Sequence, residues 1–62
     1  MLAIERQLVE DVKASARQLR IAQRRGPSDR VTVRLPAKFR HGLTAAGIAE
    51  LDAAGITVTA PR

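Results

Sequence analysis

The segment RRGPSDRVTVRLP, residues 24–36, decides the fold, because a helical pattern ends within it and an alternating pattern begins. Gly26 is predicted to take the left-handed position that follows a helix, and Pro27 cannot continue a helix. Ser28 and Asp29 are typical of a turn. We therefore expect a long element before this segment and a new element after it.

The second half of the segment predicts a half-buried strand. Its inward residues are Val31, Val33 and Leu35, and its outward residues are Arg30, Thr32 and Arg34. Pro36 is expected to end the strand, because proline cannot donate a hydrogen bond to a sheet. The connector AKFRHG, residues 37–42, follows, with Phe39 as the expected anchor to the core.

Before the segment, residues 2–24 predict one amphipathic helix without an internal Pro or Gly. Its apolar stripe has the spacing of a single helix face and consists of Ile4, Leu8, Val12, Ala16 and Leu19. This stripe can pack against the rest of the chain or against another subunit. The candidate face for a partner consists of Ile4, Leu8, Val12 and Leu19.

A second helix and a second strand are predicted after the connector. Thr44 is a candidate N-cap, and Gly55 is expected to follow the helix in the left-handed conformation. Gly47 costs up to about 1 kcal/mol inside a helix unless close packing requires it. The residues ITVT, 56–59, then predict a short strand.

These elements predict an α+β fold in a single domain, with a long amphipathic helix in residues 1–25 and a strand–helix–strand unit in residues 26–62. The strands can pair in parallel, with the second helix as a crossover, or antiparallel, because the connector leaves slack. Two short strands make an incomplete sheet. We therefore expect another chain to complete at least one sheet edge.

The size of the chain limits how it can be stabilised. It has 62 residues, no Cys and a single His, His41, so disulfides and thiolate metal sites are excluded. A domain this small is marginally stable, and the expected support is partner binding or self-association. No apolar run reaches the ~20 residues of a membrane span, and the N-terminus lacks the pattern of a signal peptide.

Catalytic patterns are not visible in the sequence. Glu50 and Asp52 do not share a helix face, which predicts a solvated helix surface. His41 has no nucleophile at a favourable spacing, and the scattered glycines form no phosphate-binding loop. We therefore expect no enzyme activity, no cofactor and no metal.

Positive charge is concentrated in the middle of the chain. Residues 13–40 hold nine Lys or Arg residues against one Asp, whereas the other residues hold two Arg against five carboxylates. The candidate patch for an anionic partner consists of Arg17, Arg20, Arg24, Arg30 and Arg34. Its partner would be an acidic protein surface or nucleic acid. The other interpretation is a solvated surface that also compensates the helix dipole.

The stretch GLTAAGIAELDAAGITVTAP, residues 42–61, resembles the ending of small head-region proteins of Mu-like tailed phages. That ending has a Leu-Thr or Leu-Ser helix start, a Leu further along one face, a short break and a Val-rich strand. The matching residues are Leu43, Thr44, Leu51, Ile56 and Val58. The family's Gly-Phe-Arg-Arg-Ala-Gly element has only KFRHG, residues 38–42, as a counterpart, and the long N-terminal helix is an addition. The resemblance implies a virion protein.

Together these features predict a small non-enzymatic structural or accessory subunit of a larger assembly, for example a phage capsid or head–tail protein. The alternative is a small basic nucleic-acid-binding or regulatory protein. We expect other protein subunits or further copies of the chain as partners, with nucleic acid as a further candidate and no membrane. The expected location is the virion if the chain derives from a phage, and otherwise the cytoplasm.

Overall fold

The structure, a computed structural model, describes residues 3–35 and 43–59. It contains α1 (Ala3–Ala22), β1 (Val31–Arg34), α2 (Ala45–Ala53) and β2 (Ile56–Thr59). The predicted order of elements and the α+β class are confirmed. Within the described residues, neither helix is long and apolar enough to cross a membrane. The expectations for Pro36, Phe39 and His41 lie outside the described residues.

β1 and β2 pair in parallel, which decides between the two orientations that the sequence left open. The register places Val31 beside Ile56 and Arg34 beside Thr59. α2 is therefore the crossover between two parallel strands of one sheet. Because the crossover includes a helix, the chain can return to the end of the sheet at which β1 begins. β2 then runs in the same direction as β1.

Each strand has an outer edge whose backbone groups are not used in the ladder. Val31 N donates to Gly55 O at 3.0 Å, which fixes the residues of each strand that face the other. Alternate residues of a parallel strand face its neighbour. The backbone groups of Thr32 in β1, and of Ile56 and Val58 in β2, therefore point away from the other strand.

The hydrophobic core lies between the two helices and one face of the sheet. It consists of Leu8, Val9, Val12, Ala16, Val31, Val33, Leu35, Leu51 and Ile56. The other face of the sheet is exposed and carries Thr32, Arg34, Thr57 and Thr59. The alternation predicted for β1 is confirmed, and both helices cover the same side of the sheet.

The end of α1 differs from the prediction. Arg24, not Gly26, takes the left-handed conformation, with φ of 55°. Arg25 N donates to Arg20 O at 2.7 Å, and Arg24 N donates to Ile21 O at 3.1 Å. This is the Schellman pattern, in which the left-handed residue is usually a glycine. Gly26 instead closes the next turn, where its N–H donates to the Asp29 carboxylate at 2.8 Å.

Both predicted ends of α2 are confirmed. Thr44 is the N-cap in an extended conformation, and its hydroxyl accepts a hydrogen bond from Gly47 N at 3.4 Å. Gly55 follows the helix with φ of 79°, a conformation that side-chain-bearing residues rarely adopt. These local signals fix where the crossover helix begins and ends.

Candidate interaction surfaces

The stripe predicted on α1 is divided between core and surface. Leu8 and Val12 are buried beneath the helix in the core of this chain, so they are covered without a partner. Leu19 is half-buried against that core. Ile4 is 83% exposed and lies outside the buried face. Val9, which the stripe omitted, is fully buried, because the buried arc of α1 is wider than the predicted spacing.

Glu5 is a buried carboxylate that joins α1 to the start of α2. It is only 5% exposed, and it accepts hydrogen bonds from Thr44 N at 2.6 Å and from the Thr44 hydroxyl at 3.0 Å. A negative charge at this position also complements the positive end of the α2 dipole. A Cβ on Gly47 would lie 3.3 Å from a Glu5 oxygen, so close packing explains this helical glycine. Sequence reasoning missed this contact, because residues 5 and 44 lie far apart in the chain.

Arg20 joins the other end of α1 to the end of α2. Arg20 is only 8% exposed. The guanidinium donates from Nε to Asp29 O at 2.9 Å, and from Nη2 to Ala54 O at 3.2 Å and Gly55 O at 3.4 Å. Arg20 was predicted to belong to an exposed anionic-partner patch. In the structure Arg20 instead donates to three backbone carbonyls. The sequence does not reveal these contacts, because they join residues that are far apart in the chain.

Ion pairs join the middle of the two helices around Glu50. Its carboxylate accepts hydrogen bonds from Arg6 and forms an ion pair with Lys13 at 3.0 Å. The hydrogen bond from Arg6, followed by that from Lys13, lowers the pKa of Glu50 to about 2. Arg6 also contacts Glu10 at 3.3 Å within α1. Glu50 is therefore half-buried and paired, whereas the sequence predicted a solvated position.

Arg30 is also held within the chain. Its Nη1 donates to the Asp52 carboxylate at 2.9 Å and to the Thr57 hydroxyl at 3.1 Å. Its Nη2 donates to Asp52 O at 3.2 Å. The start of β1 is thereby connected to the end of α2, and much of the donor capacity of Arg30 is used inside the molecule.

The remaining arginines of the predicted patch lie exposed at different places. Arg17, Arg24 and Arg34 have no side-chain hydrogen bond or ion pair with any other described residue. Arg17 lines one groove of the surface, and Arg34 lines another groove beside Ser15, Gln18 and Val33. The five arginines therefore do not form one continuous patch in the described part of the chain.

The groove that contains Arg17 lies between the second half of α1 and the turn that joins α2 to β2. We call it the basic groove, and its volume is about 600 Å³. Its lining residues are Lys13, Arg17, Arg20, Ile21, Arg25, Pro27, Ala54 and Ile56. The lining thus combines four basic side chains with an apolar floor and includes no carboxylate. Lys13, Ile21 and Arg25 were absent from the sequence-based patch.

The outer side of α2 forms a second surface, together with the outer edge of β2. A groove of about 420 Å³ runs between them and is lined by Ala45, Ile48, Ala49, Asp52, Ile56, Thr57 and Val58. Ile48 is 50% exposed. Within α2, only Gly47 and Leu51 are buried, although most of its residues are apolar. We call this surface, formed by α2 and the side of β2 that faces away from β1, the β2 edge surface.

The described residues contain no cluster of His, Cys, Asp and Glu that could hold a metal ion. Comparison with protein families, with curated proteins and with solved structures gives no match to this chain.

Proposed function

We propose that this chain is a small non-enzymatic structural or accessory subunit of a larger protein assembly. It joins the assembly at the β2 edge surface, where an extended segment of a partner adds a strand to β2. The observation that carries this proposal is the exposed, largely apolar outer side of α2 directly beside a strand edge that pairs with no described residue. Apart from Glu50 and Asp52, every residue of α2 is Ala, Gly, Ile or Leu, and a helix with so few polar residues is typically buried.

The residues of the two strands favour β2 over β1 as the docking edge. Proteins commonly protect exposed strand edges with charged side chains or proline. β1 carries Arg34, whereas β2, with the sequence ITVT, has no charge. A proline follows each strand at the same distance, Pro36 after β1 and Pro61 after β2, so proline does not distinguish the two edges. The outer edge of β2 is therefore open to strand addition, with affinity from backbone hydrogen bonds and specificity from the groove beneath α2.

The apolar groove gives an added strand a place for its side chains. Alternate residues of a strand on the β2 edge would face the same side of the sheet as Ile56 and Val58. Those side chains would lie under Ala45, Ile48 and Ala49. We therefore expect the partner segment to have apolar residues at alternate positions. Its addition would cover Ile48 and enlarge a sheet that has only two strands in the described residues.

A phage virion is one assembly of this kind, and the resemblance of residues 42–61 to Mu-like head-region proteins supports that specific form of the proposal. The alternative of a nucleic-acid-binding protein has less support. The exposed residues Arg17 and Arg34 line different grooves of the protein. Arg20 and Arg30 are held by hydrogen bonds within the chain.

The test compares the two strand edges with matched proline variants. Val58→Pro and Thr32→Pro each remove one backbone N–H that points away from the other strand, on β2 and β1 respectively. The full chain, carrying an affinity tag, would be expressed in its source cells, and the native mass of its complex measured. We expect wild type and Thr32→Pro to occur in a larger complex and Val58→Pro to be released from it.

A second pair of variants tests the apolar groove without altering the backbone. Ile48→Lys places a charge in the groove, and Gln7→Lys places one on the exposed side of α1. Circular dichroism would verify that each variant is folded. A wild-type chain that is monomeric in the cell would refute the proposal, and so would equal release by the two members of either pair.

A further inference from the structure

We infer that the basic groove binds an acidic, extended peptide segment of a partner protein, with an aliphatic side chain of that segment flanked by carboxylates. This site is separate from the β2 edge surface and does not depend on the function proposed for it. The two surfaces share only Ile56 among their lining residues.

The cations of the basic groove differ in how much of their hydrogen-bonding capacity is free. Arg20 holds three backbone carbonyls and serves the fold. Lys13 is paired with Glu50, and one nitrogen of Arg25 donates to Arg30 O at 3.0 Å. Arg17 lines the groove and has no side-chain hydrogen bond or ion pair within residues 3–35 and 43–59, so no described residue uses its donors. A guanidinium has five donors in a fork that matches a carboxylate.

The apolar floor of the groove indicates a second property of the ligand, an apolar side chain. Ile21 is 71% exposed on α1, and Pro27, Ala54 and Ile56 line the same groove. A purely ionic ligand would leave this apolar surface in water. An aliphatic side chain set between carboxylates would cover the floor while its neighbours pair with the basic rim.

The shape and composition of the groove favour a peptide over a nucleic acid. Its volume of about 600 Å³ suits a few side chains. No aromatic residue lines it, so nucleotide bases would find no stacking platform. Arg34 lines a different groove, and Arg30 is paired with Asp52, which interrupts the stripe of cations that a phosphate backbone would follow. Charge complementarity therefore points to carboxylates on a short segment.

The experiment measures binding of fluorescein-labelled peptides to the full chain by fluorescence anisotropy at low and moderate salt. One peptide has leucine between pairs of glutamates, and a second has glycine in place of leucine at equal charge. We expect the leucine peptide to bind more tightly. Arg17→Ala should weaken both peptides about two- to fivefold. Ile21→Ser should weaken the leucine peptide about threefold or more and leave the glycine peptide nearly unchanged.

Arg34→Ala is the matched control, since it removes an exposed arginine from another groove. It should leave peptide binding unchanged, as should Val58→Pro, so that failure at one surface is distinguishable from failure at the other. The inference is overturned if the wild-type chain binds neither peptide. It is also overturned if Arg17→Ala and Arg34→Ala have equal effects, or if a single-stranded oligonucleotide of equal charge binds more tightly than the leucine peptide.

Discussion

Replacing Arg20 by methionine tests whether this cation of the middle of the chain stabilises the fold or is only a surface charge. Methionine has a similar reach and packs in an apolar environment, but it has no hydrogen-bond donor. The change removes the bonds to Asp29 O, Ala54 O and Gly55 O together. It therefore removes the hydrogen bonds through which Arg20 connects the loop after α1 to the turn after α2.

The expected loss follows from the geometry of these three bonds. A hydrogen bond to a charged group contributes about 1.5–3 kcal/mol, and the Nε bond at 2.9 Å has the best geometry of the three. The bonds at 3.2 and 3.4 Å are longer, and the carbonyls of Asp29 and Ala54 belong to exposed residues that water can reach. We therefore expect a loss of about 2–4 kcal/mol in the free energy of unfolding. A chain of this length has roughly 3–9 kcal/mol in total, so much of its stability depends on Arg20.

Urea unfolding followed by circular dichroism measures this loss, with Arg17→Met as the control. Arg17 lies on the same helix but has no partner among the described residues, so its replacement should change stability by about 0.5 kcal/mol or less. With an m-value of about 1 kcal/mol/M, the Arg20 variant should unfold at least about 1.5 M earlier than the control. Equal midpoints for the two variants would refute the structural role assigned to Arg20.

Three further changes have expected outcomes that the same unfolding measurement checks. Arg24→Gly should raise stability by about 0.5–1 kcal/mol, because glycine adopts the observed φ of 55° without strain; a loss would contradict the left-handed helix end. The pKa of Glu50 is lowered to about 2, so its contribution is present above its ordinary value of 4.5 and is lost as pH falls towards 2. The stability difference between wild type and Glu50→Gln should therefore shrink over that range, and a constant difference would exclude the pairing with Arg6. Gly47→Ala should fail to give the gain of about 1 kcal/mol that helix propensity predicts, because the new Cβ would press on Glu5; a full gain would show that Glu5 can move at no cost.

The features that were predictable from sequence are those set by neighbouring residues. Thr44 and Gly55 end α2 as expected, because a cap depends on a few adjacent residues. The alternation of β1 is visible in seven letters for the same reason. The end of α1 was misplaced by two residues, since Arg24 takes the left-handed position before Gly26 can. The hydrogen bond from Arg20 to Ala54 O is part of no local pattern, because the two residues lie 34 positions apart.

The candidate surfaces were less predictable, because they depend on contacts between residues far apart in the chain. The sequence shows that Arg20 and Arg30 are basic, but it does not show that the carbonyl of Ala54 and the carboxylate of Asp52 lie within reach. Strand orientation had the same difficulty, since the connector permits both directions. The sequence could not show whether Ile48 is exposed or buried, because most residues of α2 are apolar.

The way α2 is held supports the view that its outer side serves a partner. An ordinary surface helix is attached by an apolar stripe and presents polar residues to water. α2 contributes only Leu51 to the buried core cluster and is also attached through polar contacts at three places: Glu5 at its start, Arg6 and Lys13 in the middle, and Arg20 and Arg30 at its end. Its apolar residues thereby remain on the exposed side, which has no structural use within the described chain. These three polar attachments fix the position of α2 without covering Ile48, as the proposed addition of an apolar strand beside β2 requires.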